Sequence, residues 1–140
     1  MNFSKTTEYA LQILSYMAGD EDKLYSANEL YESLKIPFRY LRKQLTILTK
    51  SKLLVSVQGK EGGYKIMKGG KELSLLDIIQ ATGDNIISDN CFFGFGSCVL
   101  TEKCVMHDKW VGIQGNINNV LSSTKLADLK RTINQNSISQ

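Results

Sequence analysis

The chain has 140 residues, of which 42% are hydrophobic and 22% charged, and its formal net charge at pH 7 is +3. This composition suits one domain with a core, or a small domain with an appended arm. No run approaches the ~18 apolar residues that a membrane span needs, and the N-terminus lacks the apolar core of a signal peptide, so we expect a cytoplasmic protein. The odd number of cysteines, three, argues against a complete set of intramolecular disulfides.

Two helices are predicted near the N-terminus. Apolar residues at helical spacing indicate a first helix over about residues 4–18. Ser26 followed three residues later by Glu29 is a capping-box pattern, which predicts a second, short helix over residues 27–34.

A basic helix is predicted after Pro37, which suits a first helical position because its missing N–H would be unpaired there anyway. Its apolar face comprises Leu41, Leu45 and Leu48. Its polar face comprises Arg39, Arg42, Lys43 and Thr46. Two short helices, a tight turn and a basic outer face on the second helix indicate a helix-turn-helix.

A hairpin is predicted directly after this helix. The apolar segments 53–57 and 64–67 flank the glycine-rich sequence 58–63, which is typical of two strands and a turn. In this position a hairpin is the wing of a winged helix. Residues 35–68 carry nine basic side chains and one acid, Glu61, whereas the rest of the chain is acidic. Such a block suits phosphate neutralisation, although a solvated lysine-rich face is the plainer interpretation of the charge alone.

The fold class is therefore expected to be mainly α with a small β-hairpin wing. Ser74 and Asp77 form a second capping-box pattern that opens a helix ending near Ala81. Next comes a loop whose apolar residues show no helical or strand periodicity. It is followed by a long helix from about Cys104 and by a short helix with Leu126 and Leu129. The predicted organisation is a winged helix-turn-helix domain over 1–83, a cysteine-rich cluster-binding loop over 84–106, a dimerisation helix with the short terminal helix over 104–133, and a disordered tail over 134–140.

The long helix has an apolar face that the small winged domain does not obviously cover. This face comprises Trp110, Ile113, Ile117, Val120 and Leu121. A second copy of the chain could cover it, because helix-turn-helix proteins commonly bind paired half-sites as dimers. The alternative is that the helix folds back on its own domain.

All three cysteines and the only histidine lie in one glycine-rich stretch. Cys91, Cys98, Cys104 and His107 follow the pattern C-x6-C-x5-C-x2-H. Thiolates and imidazole together suit iron–sulfur clusters or zinc. Three cysteines and a histidine are also a common structural zinc set, but zinc sites more often show paired C-x2-4-C knuckles, which this chain lacks. A redox dithiol is disfavoured because no C-x2-C occurs.

Together these features resemble the Rrf-two family of bacterial winged-helix regulators, whose branches include the iron–sulfur regulator IscR and the nitric-oxide sensor NsrR. The resemblance covers about the whole chain before the tail. It rests on Tyr9-Ala10-Leu11, Tyr40-Leu41, the strand Leu53-Leu54-Val55-Ser56-Val57, the turn Gln58-Gly59-Lys60-Glu61-Gly62-Gly63-Tyr64, the three cysteines and Cys104-Val105-Met106-His107-Asp108-Lys109-Trp110.

The resemblance implies a homodimer that binds double-stranded DNA at a palindromic operator. The recognition helix would enter the major groove, the wing would approach the minor groove, and the state of an iron–sulfur cluster near the dimer interface would control binding. The expected DNA-binding residues are Ser26, Pro37, Phe38, Arg39, Tyr40, Arg42, Lys43, Gln58, Gly59 and Lys60. Gln58 stands where the family often carries an arginine, which suits a narrow minor groove better, and Lys60 is the nearby cation that could compensate.

The expected cluster ligands are Cys91, Cys98 and Cys104, which leave one position for another residue. His107 lies one helical turn from Cys104, and a mixed set of this kind resembles the IscR branch with a 2Fe–2S cluster, which we favour. Glu8 matches the carboxylate position of the NsrR branch, which would give a 4Fe–4S cluster. The alternative for Glu8 is a solvated acid in a helix first turn, and for His107 a surface histidine.

The leading hypothesis is thus a cluster-sensing transcriptional regulator. An iron–sulfur electron-transfer or carrier protein and a zinc-stabilised DNA-binding protein are the alternatives. An enzyme is not expected, because the chain offers one histidine, no nucleophile–base pattern and no phosphate-binding loop before a helix.

Overall fold

The structure, a computed structural model, describes residues 3–84, 92–93 and 104–129. Within these ranges the elements are α1 (Lys5–Met17), α2 (Ala27–Leu34), α3 (Phe38–Lys50), β1 (Leu54–Val57), β2 (Gly63–Ile66), α4 (Leu75–Ala81) and α5 (Val105–Ser123). Short 3₁₀ helices occupy Gly70–Glu72 and Leu126–Leu129. The predicted class, mainly α with a hairpin wing, is confirmed. No helix among the described residues is both long and apolar enough to cross a membrane.

Serine side chains begin three of the helices. The hydroxyls of Ser4, Ser26 and Ser74 each accept a hydrogen bond from a backbone N–H three residues later. Such a cap is worth about 0.5–2 kcal/mol. Both halves of the predicted capping box form only at Ser74 and Asp77. At Ser26 the carboxylate of Glu29 instead pairs with Lys23.

The basic helix begins one residue later than predicted. Pro37 is the N-cap of α3, with φ −52° and ψ 130°, and Phe38 is the first helical residue. A proline disfavours the α region for the residue before it. Here Pro37 itself also has an extended backbone, so the turn between α2 and α3 is one residue longer than predicted. Lys35 ends α2 in the left-handed region with φ 59°.

The hydrophobic core lies between α1, α2, α3, α4 and the hairpin. The predicted inner face of α3 is confirmed, because Leu41, Leu45 and Leu48 are fully buried. Gln44 is also buried on that helix, and no hydrogen-bond partner for its Oε1 occurs among the described residues. The larger fully buried core side chains are Ile13, Leu14, Met17, Leu30, Leu41, Leu45, Leu48, Leu54, Ile78, Ile79 and Leu126.

The wing is an antiparallel hairpin in which Leu54 pairs with Ile66 and Val57 with Gly63. Its tip needs glycine at Gly62, because a Cβ there would lie 2.0 Å from the carbonyl oxygen of Val57. A third segment, not predicted, joins this sheet through a bridge between Tyr25 and Tyr64. The wing is therefore attached to the segment that leads into α2.

The end of α5 returns to the core of the winged domain. Leu126 is 1% exposed within that core. Two backbone hydrogen bonds of 2.9 Å hold it there, from the N–H of Leu126 to the carbonyl of Leu73 and from the N–H of Leu75 to the carbonyl of Thr124. The helix α5 itself contains no fully buried residue.

The predicted loop over 84–103, with the exception of Asp84, Phe92 and Phe93, lies outside the described residues, and so does the predicted tail over 134–140. Two of the predicted cluster ligands, Cys91 and Cys98, fall in this undescribed part.

Candidate functional site

One face of α3 is basic and exposed. Arg39, Arg42, Lys43 and Thr46 all lie on it, as the apolar spacing predicted. No acidic residue occurs anywhere in the helix. A helix with this charge pattern can approach a phosphate backbone without a repulsive carboxylate.

Aromatic rings support the guanidinium groups of α3. The Cζ of Arg42 lies 5.9 Å from the ring centre of Phe38, and that of Arg39 lies 5.8 Å from the ring centre of Tyr40. Phe38 is itself only partly exposed and packs edge-on against Tyr31 at 5.6 Å. Among the predicted DNA-binding residues Phe38 is therefore placed as a support beneath Arg42.

Tyr40 also contacts α1. Its ring centre lies 6.2 Å from that of Tyr9, at an interplanar angle of 39°. Tyr40 as a whole remains 49% exposed. Tyr9 thus connects α1 to the exposed side of α3, a contact that residue spacing could not predict.

The other predicted DNA-binding residues are exposed. The tip of the wing presents Gln58, Gly59 and Lys60, and Ser26 and Pro37 lie at the starts of α2 and α3. Gly59 has φ 109°, a conformation that glycine adopts readily. These positions, at the two helix starts and at the wing tip, are all accessible to the phosphate groups of a nucleic acid.

Two of the predicted metal ligands lie together at the start of α5. Cys104 is the N-cap residue, and the N–H of His107 donates to its carbonyl at 3.1 Å. Both side chains are partly exposed. Among the described residues no group of three or more histidine, cysteine or acidic side chains is close enough to hold a metal ion. The remaining predicted cysteines lie outside those residues.

A ring contact links the cysteine stretch to the same helix. Phe92, which follows Cys91 in the sequence, lies 5.4 Å from the ring of Trp110 at 69°, and 5.2 Å from the ring of Phe93. Trp110 is one turn beyond His107 on α5. The contact therefore places Phe92, a described residue of the cysteine stretch, beside the first half of α5.

Glu8, the alternative ligand, forms a surface ion pair. Its carboxylate accepts a hydrogen bond from the ammonium of Lys5 at 3.0 Å, and its side chain is 39% exposed. This hydrogen bond is the main reason that the pKa of Lys5 is raised. Glu8 is therefore an acidic residue in the first turn of α1, and its carboxylate is accessible to solvent.

Asp84, the last described residue before the cysteine stretch, binds the start of α1. Its Oδ2 accepts hydrogen bonds from the N–H and hydroxyl of Ser4, at 2.9 and 3.0 Å, and from the hydroxyl of Thr7 at 2.6 Å. Thr7 is fully buried. The bond from Thr7 is the first cause, and that from the Ser4 N–H the second, of the lowered pKa of Asp84. Local sequence patterns do not predict this contact, because Asp84 lies 80 residues from Ser4 and 77 residues from Thr7.

Comparisons with known proteins agree with this architecture. Residues 3–132 match the model of the Rrf2 family, described as an iron-dependent transcriptional regulator. The regulator NsrR of Oceanobacillus iheyensis is 32% identical over 76% of this chain and 74% of its own length.

Solved structures show the same fold at lower identity. CymR, the global cysteine regulator of B. subtilis, superposes with a TM-score of 0.78 at 22% identity, over 95% of this chain and 98% of that one. IscR of T. potens superposes with a TM-score of 0.72 at 21% identity, over 96% of this chain and 90% of that one. The chain therefore belongs to the Rrf2 (Rrf-two) family of winged-helix transcriptional regulators, DNA-binding proteins rather than enzymes.

Proposed function

We propose that this chain is a homodimeric regulator whose binding to an operator depends on an iron–sulfur cluster held by Cys91, Cys98 and Cys104. The observation that carries the proposal is the contact between Phe92 and Trp110, since it ties the residue next to Cys91 to the helix that begins at Cys104. His107, one turn beyond Cys104, is the favoured fourth ligand.

The donor set fits such a cluster. Thiolates are the usual ligands of iron–sulfur centres, and a nitrogen or oxygen ligand in one position changes the cluster potential. Three thiolates with His107 favour a 2Fe–2S cluster, whereas Glu8 in the fourth position would favour 4Fe–4S. When bound, the cluster supplies a centre that responds to oxygen, nitric oxide or iron supply. The name NsrR of one relative supports a sensor of this class.

The DNA-binding surface is assigned to α3 and the wing. The exposed arginines of α3 suit the base edges of the major groove, and Lys60 at the wing tip suits the adjacent phosphates or minor groove. Ser26 and Pro37 lie at helix starts, where backbone N–H groups can meet phosphate oxygens.

The proposed dimer uses α5. Met106, Trp110, Ile113, Ile117 and Val120 alternate at spacings of four and three, the pattern of a two-helix seam. Ile113 is 47% and Val120 61% exposed in the single chain. Burial of this stripe against a second copy would remove it from water, and two recognition helices would then face a palindromic operator.

The first test is the absorption spectrum of protein purified without oxygen, with iron, sulfide and zinc analysis. We expect a coloured protein with equal iron and sulfide. Two irons per subunit that His107→Ala abolishes and Glu8→Gln preserves would support the histidine site, and four irons with the opposite response would support Glu8. Colourless protein with stoichiometric zinc would contradict the proposal and favour a zinc-stabilised DNA-binding protein.

The second test selects binding sites from random double-stranded DNA. We expect an enriched palindrome. Arg42→Ala should weaken its binding by about 1–3 kcal/mol if the guanidinium reads a base. Lys71→Ala, outside α3 and the wing, is the matched control and should bind normally. The absence of any enriched palindrome would contradict the operator assignment.

A further inference from the structure

Helix α2 contributes an aromatic ring to the basic face of α3. Tyr31 of α2 packs edge-on against Phe38, with ring centres 5.6 Å apart at 81°, and the Cζ of Arg42 lies 5.9 Å from the centre of the Phe38 ring. We propose that Tyr31 is a specificity-determining positioning residue. It contacts no base itself, but through Phe38 it directs Arg42 toward one base of the operator. This inference rests on the proposed function.

The turn between α2 and α3 brings the two rings together. Lys35 adopts a left-handed conformation with φ 59°, and its N–H donates to the carbonyl of Tyr31 at 2.9 Å. The chain then returns to Tyr31 at Phe38, the first residue of α3. No side chain of the described residues caps the start of α3. The first turn of α3 therefore depends on packing, to which the contact with Tyr31 contributes.

The ring of Phe38 lies between the contribution of α2 and the guanidinium. Phe38 and Arg42 are four residues apart, so their side chains are neighbours on the helix surface. The distance of 5.9 Å is within the ~6 Å over which an aromatic ring attracts a cation. Phe38 is partly covered whereas Arg42 is exposed, which leaves the guanidinium available to a DNA groove. An edge-on ring pair at this spacing is favourable and restricts the rotation of Phe38.

Orientation matters because an arginine reads guanine through two parallel hydrogen bonds, to O6 and N7. A guanidinium that is already held in place loses less freedom on binding than a free one. Loss of the Tyr31 ring should therefore lower discrimination at the base that Arg42 meets. Arg39 lies over a different ring, that of Tyr40, at 5.8 Å. The base that Arg39 meets thus serves as an internal control.

The experiment measures base discrimination along the sequence obtained by selection. Each position of one half-site is replaced by the three other bases, and dissociation constants are measured by fluorescence anisotropy. The discrimination ratio is the dissociation constant for the replaced base divided by that for the selected base. The proteins are the wild type, Arg42→Ala, Tyr31→Leu, Tyr31→Phe and the double variant Tyr31→Leu with Arg42→Ala. Thermal unfolding checks that each is folded, and Tyr31→Gln takes the place of Tyr31→Leu if that variant does not fold.

Arg42→Ala should lower the ratio at one position by about 5- to 150-fold, the worth of one bidentate contact. Tyr31→Leu should lower the ratio at the same position by about two- to fivefold, the worth of an exposed cation–π contact, and leave the other positions unchanged. Tyr31→Phe keeps the ring and should retain the wild-type ratio. The double variant should lose no more than Arg42→Ala alone, because Tyr31 acts through Arg42.

The outcomes separate the two levels of the proposal. If no sequence were selected, or if Arg42→Ala changed no position, the assignment of base reading to α3 would fail and this inference with it. If Arg42→Ala identified a position that Tyr31→Leu left unchanged, this inference alone would be overturned.

Three further results would also overturn it. An equal loss at every position would show a general effect on the fold, as would failure of both Tyr31→Leu and Tyr31→Gln to fold. A loss in Tyr31→Phe as large as in Tyr31→Leu would show that the hydroxyl contacts DNA directly. Additive losses in the double variant would show that Tyr31 acts independently of Arg42.

Discussion

Tyr25 and Tyr64 exchange two backbone hydrogen bonds of 2.8 Å, N–H to carbonyl in both directions. This pairing brings the backbone of Tyr25 so close to Gly63 that a Cβ on Gly63 would lie 2.7 Å from its carbonyl oxygen. The wing and the start of α2, two predicted DNA-contacting parts, are thereby held in one small sheet.

Gly63→Ala should destabilise the fold by about 1–3 kcal/mol, because the added methyl group forces the wing away from Tyr25 and the φ of 154° disfavours alanine. Urea unfolding gives the measurement. Gly112→Ala is the matched control, since the same methyl group meets open space in a helix and should stabilise it by about 0.5–1 kcal/mol. Equal effects of both substitutions would contradict the close approach.

Leu126→Ala should cost about 2–5 kcal/mol, the range for a fully buried leucine, although the residue lies beyond the whole of α5. Val57→Ala, which shortens a side chain that is 38% exposed, should cost far less. The free energy of unfolding of both variants is compared at equal protein concentration. A loss below about 1 kcal/mol for Leu126→Ala would mean that the terminal 3₁₀ helix does not contribute to the core.

Ile113→Glu should shift the protein from dimer to monomer, because a carboxylate would then lie in the proposed seam of α5. Val111→Glu is a close control: Val111 is 53% exposed and two residues away, on a different side of the helix. Sedimentation velocity measures the oligomeric state of both variants. If the Ile113→Glu variant remained dimeric, the dimer interface would not include this face of α5.

Asp84→Asn should make stability less dependent on pH. The folded pKa of Asp84 lies below its ordinary 3.8, chiefly because Thr7 donates to it. A lowered carboxyl pKa gives stability that is present above the unfolded value and is lost as pH falls through the folded value. The melting temperatures of wild type and variant should therefore differ most above pH 3.8 and converge below the folded pKa. A constant difference at every pH would mean that the charge of Asp84 does not contribute.

Local patterns predicted most of the architecture. The inner face of α3 followed from the spacing of Leu41, Leu45 and Leu48, and the wing from its glycines. The capping box at Ser74 and Asp77 also formed as expected. These features depend on residues a few positions apart, where helix period, capping and turn chemistry act directly.

Contacts between distant residues could not be predicted in this way. The bridge from Tyr25 to Tyr64 and the hydrogen bonds from Ser4 to Asp84 join segments whose proximity only the complete fold determines. The start of α3 was wrong by one residue, because proline is compatible with both the N-cap and the first helical position. The cluster ligands stay a prediction, since only Cys104, His107 and Glu8 of the set lie among the described residues.

The burial of Leu126 has a practical consequence for anyone who wishes to transplant the predicted DNA-binding domain into another protein. A fragment cut after residue 83 would keep α1, α2, α3, the wing and α4, but would leave a leucine-sized hole in their shared interior. The carbonyl of Leu73 would also lose its hydrogen bond from the N–H of Leu126. A transplant that retains this module would have to carry residues 124–129 as well, supplied either through α5 or by a shorter synthetic connection.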